Sequence, residues 1–393
     1  MIPESAPGFA GVPGRGTAMD LETFLRRHGA DFDLLVEGAQ AAGPLREGDR
    51  LLAVGSLAEG LGNSKSDVDL LLVSPREEFA RASPDEILSF AAGNCVVDLR
   101  ILSQSLVASL QARLAAFAQA AWDLTRPADF TAGELLLLHR LSAARCLWPG
   151  AEAQDPVTEA LRDAVARLKL HGARHLAKTL QVDMAGYRDA GDYRTLVFGA
   201  QDLLGHAVDG LLAGFHLTNP TPKWRGRLLA QLPGDWDSRL LMRPTGIGAD
   251  DLVWHLHRAP AEATAKAALE HACRIVTFAR AAFAWAEDTL VHGNPVATLR
   301  SGWPKPRGQP LPCLDIDVDF CRTEEGVAVG RLNAFGETLH LSSSDFAVML
   351  LFDGVTTAHE AAMVVETLDD DGARGDVERV ASWLRRFFLE AAV

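Results

Sequence analysis

Asp67 and Asp69 stand one residue apart in the run GSLAEGLGNSKSDVDLLLV, residues 55–73, and a third carboxylate, Asp98, follows in NCVVDLRIL, residues 94–102. Two unit charges about 4 Å apart repel by roughly 4 kcal/mol at an effective dielectric near 20. A fold that gathers such acids must protonate one, separate them or bind a cation. Carboxylate oxygens are hard ligands that suit Mg²⁺, an ion that also bridges substrate phosphates. Two such ions activate an attacking oxygen and neutralise a departing pyrophosphate. Gly55 lets the backbone come close to a phosphate, and Ser56 adds a hydroxyl donor. The segment after Ser56 reads as the start of a short helix, whose N-terminus favours the same anion. The spacing therefore points to metal-dependent chemistry on a nucleoside triphosphate.

The elements that must position these groups are short apolar runs. LLAVGS (51–56) ends in a glycine and reads as a buried strand entering a tight turn. DVDLLLV (67–73) is a second strand, stopped by Ser74-Pro75. Side chains alternate along a strand. Asp67 and Asp69 then share one face, with Val68, Leu70 and Leu72 on the other. In VVDLRIL (96–102), Val97, Leu99 and Ile101 share one face, and Asp98 lies with Val96 and Arg100 on the opposite one. If these strands are neighbours, three carboxylates converge on one patch.

This pattern resembles the nucleotidyltransferases of the DNA polymerase beta superfamily. The resemblance rests on Gly55-Ser56, the Asp67-Val68-Asp69 pair after an eleven-residue step, and Asp98 on a later strand. It implies a small mixed sheet with helices, two Mg²⁺ ions, an NTP co-substrate and release of pyrophosphate. It also implies that Asp67 and Asp69 hold both metals. The resemblance further implies that Asp98 holds the metal that activates the acceptor and takes part in accepting its proton. Gly55 and Ser56 cradle the β/γ-phosphates. Many relatives carry a basic residue near position 59, and this chain has Glu59. Lys65 and Arg100 are the candidate substitutes for nucleotide binding. A solvated turn residue and a salt bridge to one of the acids are their respective alternatives.

The chain has 393 residues, enough for two or three domains. Its net charge of −14 argues against a long nucleic acid as partner, because such partners demand a basic face. Five scattered cysteines show no CxxC pairing and no metal spacing, which fits a reducing cytoplasm. The N-terminal stretch lacks a signal peptide's order of charge and apolar core, and no apolar run reaches membrane-spanning length. Residues 1–17 read as a disordered leader.

The expected class is α+β, in three folded parts. A mixed-sheet nucleotidyltransferase domain covers 18–128. It begins with an amphipathic helix over 18–42 and includes helices over 76–92 and 104–121. An all-α bundle follows over 129–293. Its segment 190–229, ending in Lys223-Trp224, resembles the helical, acceptor-carrying domain of aminoglycoside-type nucleotidyltransferases. A buried anchor at a helix start is the other reading of Lys223-Trp224. His171 and His175 lie four apart on one helix but lack a Glu between them and a third ligand nearby. They read as a surface face. Residues 294–312 hold five prolines and read as a stiff linker.

Residues 313–393 read as a hairpin followed by three capped helices, a winged-helix pattern. The third helix spans 375–390, with Val380, Trp383, Leu384 and Phe387 on one face. This segment resembles the peptide chaperone of pyrroloquinoline-quinone biosynthesis and the related elements that recognise leader peptides. The resemblance implies a leader peptide added as a strand beside the hairpin. Asp315, Asp317 and Asp319 lack a preceding Gly-Ser turn and read as the solvated face of an edge strand.

Together these readings point to a cytoplasmic nucleotidyltransferase acting on a small-molecule or peptide acceptor. An aminoglycoside-type resistance enzyme and a nucleotide-sensing DNA-binding regulator are the alternatives.

Overall fold

The computed structural model describes residues 19–79, 86–149, 159–293, 302–332, 338–368 and 376–389. The leader expected at 1–17 and the first part of the proline-rich stretch lie outside them. The chain forms two compact units. One takes in the residues up to Ala121 together with Asp129–Leu168, and the other Trp122–Ala128 together with Lys169 onward.

In the first unit the single helix expected over 18–42 is two helices, α1 (Leu21–Arg27) and α2 (Phe32–Ala42). Each has its own aspartate cap. Asp20 accepts the Thr23 N–H at 2.7 Å and Asp31 accepts the Leu34 N–H at 2.9 Å. A capping aspartate is worth about 1 kcal/mol at such a position, so Asp31 starts a new helix where apolar spacing alone would continue the old one.

Then come β1 (Arg50–Val54), the single turn α3 (Gly55–Ala58), β2 (Val68–Ser74), β3 (Leu88–Ala92), β4 (Cys95–Ser103), α4 (Gln104–Gln119), α5 (Ala132–Ser142) and β5 (Arg145–Trp148). Among the described residues of 76–92 the expected helix is absent. Glu77–Phe79 is a 3₁₀ turn and Leu88–Ala92 is a strand antiparallel to β4. Ala92 pairs with Cys95 across Gly93-Asn94, and such a two-residue glycine turn favours a hairpin.

The sheet order is β3-β4-β2-β1-β5. β2 and β4 run parallel, and the other neighbours are antiparallel. The sheet therefore takes in β5, past the boundary expected at residue 128. Both faces are covered. Val68, Leu70, Leu72, Val97 and Leu99 pack with Leu21, Phe24, Leu25 and Leu35. Leu52, Val54, Leu71 and Val73 pack with Val107 and Leu141 on the opposite side. Burying one such side chain contributes about 1.5–3 kcal/mol. The apolar neighbours of Asp69 on β2 thus hold it in place against the cost of its own partial burial.

The long helix α6 (Glu159–Asp189) contains the boundary between the units at Leu168. In the second unit it is followed by α7 (Tyr193–Gly214), the short α8 (Arg225–Leu229) and α9 (Trp236–Arg239), α10 (Ala249–Leu256) and α11 (Ala265–Glu287). α7 packs along α11, with Gly210 close to Phe283 and Gly214 close to Trp285. Trp224 is buried beneath Lys223, whose ammonium lies 5.0 Å from its ring centroid, as an anchor at a helix start would be. His171 and His175 are not a surface face. His171 is buried, and the two rings bond the carbonyls of Asp123 (2.6 Å) and Leu124 (3.2 Å).

The C-terminal part holds a three-stranded antiparallel sheet of β6 (Val318–Thr323), β7 (Gly326–Arg331) and β8 (Leu339–Leu341). Three helices follow: α12 (Ser343–Leu350), α13 (Ala358–Leu368) and α14 (Val377–Leu384). β8 adds a strand to the expected hairpin. α14 is shorter than expected, and Trp383 is 40% exposed while Val380, Leu384 and Phe387 are buried. Thr357 and Glu360 cap each other's backbone N–H at the start of α13.

The reading of Asp315, Asp317 and Asp319 as a solvated face is overturned. They are 7%, 7% and 5% exposed and meet arginines. Arg174 of α6 bonds Asp319 at 2.7 Å and Glu287 at 2.9 Å. Arg188 bonds Asp315 at 2.7 Å, and Arg331 reaches both Asp315 (2.9 Å) and Asp317 (2.5 Å). Arg280 donates to the carbonyls of Val318 (2.9 Å) and Asp315. Burial works against the Arg174 charge, but Asp319 and Glu287 more than offset it and raise its pKa. The alternating acids are compensated from within their own unit, which the local sequence around them does not reveal.

Candidate active site

The register of the first sheet builds the site. Val54, the last residue of β1, pairs with Asp69, and Asp69 pairs in turn with Asp98 of the parallel strand β4. Gly55 follows directly, so the Gly55-Ser56 turn begins beside the Asp69 carboxylate. Gly55 adopts φ +76°, a left-handed conformation that favours glycine. A Cβ there would collide with Asp69 Oδ2. Both requirements select glycine at one position. Ser56, on the same turn, is half-buried.

Asp98 is half-buried and accepts a hydrogen bond from Ser89 Oγ of β3 at 2.7 Å. Burial is the largest influence on Asp69 and raises its carboxyl pKa. Arg140 pulls it down, Asp67 raises it, Arg100 lowers it and Asp98 raises it, in that order of size. Asp67 is exposed and lies just before the first residue of β2. Strand alternation therefore does not fix its side chain. Among the described residues no three His, Cys, Asp or Glu side chains form a group that could hold a metal ion by themselves. The expected convergence of three acids is thus realised as an adjacent pair, Asp69 and Asp98, with Asp67 at the strand's entrance.

Arg100 is half-buried and acts on Asp69, whereas Lys65 is exposed in a turn where its N–H donates to Asn63 Oδ1 at 2.8 Å. Two residues that the sequence reading passed over also reach the site. His139 Nε2 lies 2.9 Å from Glu59 Oε2, and Arg140 Nη2 lies 3.3 Å from Asp69 Oδ1. Both sit on α5, in the stretch ELLLLHRLS. A His-Arg pair interrupting an apolar helix was the available signal, of the same kind as the aspartates interrupting apolar strands.

Residues 35–104 match the family model described as a nucleotidyltransferase domain. The likeness is to a nucleotidyltransferase domain and covers those residues alone. Domains of this kind transfer a nucleoside monophosphate from an NTP. Gly55, Ser56, Asp67, Asp69, Asp98 and Arg100 all fall inside the match, and His139 and Arg140 fall outside it. No curated protein matches the chain. Among the described residues no helix is long and apolar enough to cross a membrane.

The site fits a divalent cation by its donor chemistry. Asp69 and Asp98 offer hard oxygens on adjacent strands, and Gly55 leaves free the space that a Cβ would take beside Oδ2. Mg²⁺ is usually held by one or two carboxylates together with substrate phosphates and water, not by an all-protein cage. A pair of acids is consistent with that mode.

Proposed function

We propose that the chain is a Mg²⁺-dependent nucleotidyltransferase that moves a nucleoside monophosphate from an NTP to a hydroxyl or amine of a small-molecule or peptide acceptor. The observation that carries this reading is the register of Asp69 on Asp98 with the Gly55 backbone set against Asp69. Asp69 and Asp98, with Asp67, would hold the metal, which supplies charge neutralisation at the phosphates. Gly55 admits a phosphate close to the backbone, and the Ser56 hydroxyl donates to it. Asp98 accepts the proton of the attacking hydroxyl or amine. Ser89 bonds Asp98 Oδ1, which orients the carboxylate and leaves Oδ2 for that proton. The acceptor oxygen or nitrogen attacks the α-phosphorus, and the bond to the pyrophosphate oxygen breaks. Positioning and charge stabilisation lower the barrier, with no covalent enzyme intermediate.

The test is pyrophosphate release by the full chain with mixed NTPs, Mg²⁺ and a lysate fraction as acceptor source. Asp69→Ala and Asp98→Ala should each lower the rate by at least about a hundredfold. An unchanged rate in either variant removes that residue from the reaction, and unchanged rates in both dismiss the reading.

For the acceptor, we propose a ribosomally made peptide engaged through residues 313–393. What supports this is β8, a short strand with a partner on one side only among the described residues, which suits strand addition. Fluorescence anisotropy of labelled leader peptides with the full chain tests it. If no peptide binds while NTP turnover persists, the acceptor is a small molecule.

A further inference from the structure

Glu59 lies one turn beyond Ser56, and its carboxylate is committed to His139 at 2.9 Å. It supplies no positive charge for a triphosphate, so the cation must come from elsewhere. The Asp69 carboxylate shows where. Its Oδ2 lies against Gly55 and its Oδ1 against Arg140. The Asp69 carboxylate therefore lies between the guanidinium and the Gly55 backbone.

Arg140 is also held there with donors to spare. Buried Leu138 and Leu141 anchor α5, the Thr131–Glu134 capping box fixes its start, and the His139–Glu59 contact ties it to the end of α3. The Arg140 side chain is only 16% exposed. Among the described residues its one hydrogen bond is the 3.3 Å contact from a single nitrogen to Asp69. Guanidinium carries five N–H donors in a fork that matches phosphate at two points. One long, single-point contact leaves most of them available.

We propose that Arg140 is a triphosphate-binding residue that serves as the counter-charge of Asp69 until nucleotide arrives. When the triphosphate seats at the Gly55-Ser56 turn, the guanidinium moves from Asp69 Oδ1 to a phosphate oxygen. That frees the Asp69 carboxylate, which would hold the cation that accompanies the nucleotide. Every charge keeps a partner in both states, so the exchange leaves no half-buried ion uncompensated. This inference rests on the nucleotidyltransferase reading above.

The test is calorimetric binding of α,β-methylene NTP analogues, and of the matching nucleoside monophosphates, to the full chain with Mg²⁺. Arg140→Gln should weaken the preferred triphosphate analogue by about tenfold to a hundredfold and leave monophosphate binding unchanged. Arg140→Lys keeps the charge beside Asp69, and so the fold, but lacks the two-point fork. It should lose part of the preference for triphosphate over monophosphate. The inference is overturned if either variant keeps the full preference, or if triphosphate and monophosphate affinity fall together. A wild-type chain that binds none of the analogues would overturn the nucleotidyltransferase reading itself.

Discussion

Replacing Gly55 by alanine does two separable things. It forces an L side chain onto a backbone at φ +76°, at a cost of about 1–2 kcal/mol. It also drives a methyl group into Asp69 Oδ2. Gly60 separates the two effects. It has φ +71°, and a Cβ added there meets nothing within 4 Å. Both variants should therefore melt about 2–8 °C below the wild type. Only Gly55→Ala displaces the carboxylate, and a misplacement of about 1 Å costs on the order of a hundredfold in rate. Pyrophosphate release should thus fall about a hundredfold in Gly55→Ala and stay near wild type in Gly60→Ala. Equal rates in the two variants would refute the reasoning, because the Gly55–Asp69 contact would then have no bearing on the chemistry.

Two further predictions concern the second unit. Arg174→Leu leaves the carboxylates of Glu287 and Asp319 buried without their shared cation, and should cost about 3–5 kcal/mol in urea unfolding. Adding Glu287→Gln and Asp319→Asn should recover most of that loss, and a triple variant as weak as the single one would contradict the account. His271 is 3% exposed, and burial first, then the charges of Arg274 and His257, push its pKa from 6.5 down to about 4. The unfolded chain then binds a proton below pH 6.5 that the folded chain refuses until about pH 4. This contribution to stability is present above pH 6.5 and lost as the pH falls through 4, about 3 kcal/mol in all. His271→Gln should flatten the stability profile over that window, and parallel profiles for variant and wild type would count against it.

The pairing of Asp69 with Asp98 was legible because its signals are local. Strand alternation put Val68, Leu70 and Leu72 on one face and Asp69 on the other. Asp69 and Asp98 did prove to be neighbours, on parallel strands whose apolar residues are buried. What escaped was set by longer connections or competing local chemistry. Arg140 reaches Asp69 across 71 residues of chain. Strand periodicity says nothing about Asp67, because β2 begins one residue later. The spacing of 76–92 was read as a helix, but the Gly93-Asn94 turn made Leu88–Ala92 a hairpin strand. Asp315, Asp317 and Asp319 looked solvent-facing because exposed edges do carry alternating charge. Their arginine partners Arg174 and Arg188 lie well over 100 residues upstream.

The arginines around β6 bear on how this chain can be taken apart. A fragment starting at residue 313 would expose Asp315, Asp317 and Asp319 with only Arg331 of their own segment to meet them. The remainder would keep Arg174 with Glu287 but without Asp319, and Arg280 without the carbonyls of Val318 and Asp315. Neither piece is a fair stand-in for the same residues in the intact molecule, so a silent fragment says little about what residues 313–393 do. The same constraint acts on recombination. A C-terminal segment grafted from another protein would have to bring acids that match Arg174 and Arg188 of α6, and backbone carbonyls placed to meet Arg280 of α11. The helices and the C-terminal sheet can then change partners only together, as a single inherited piece.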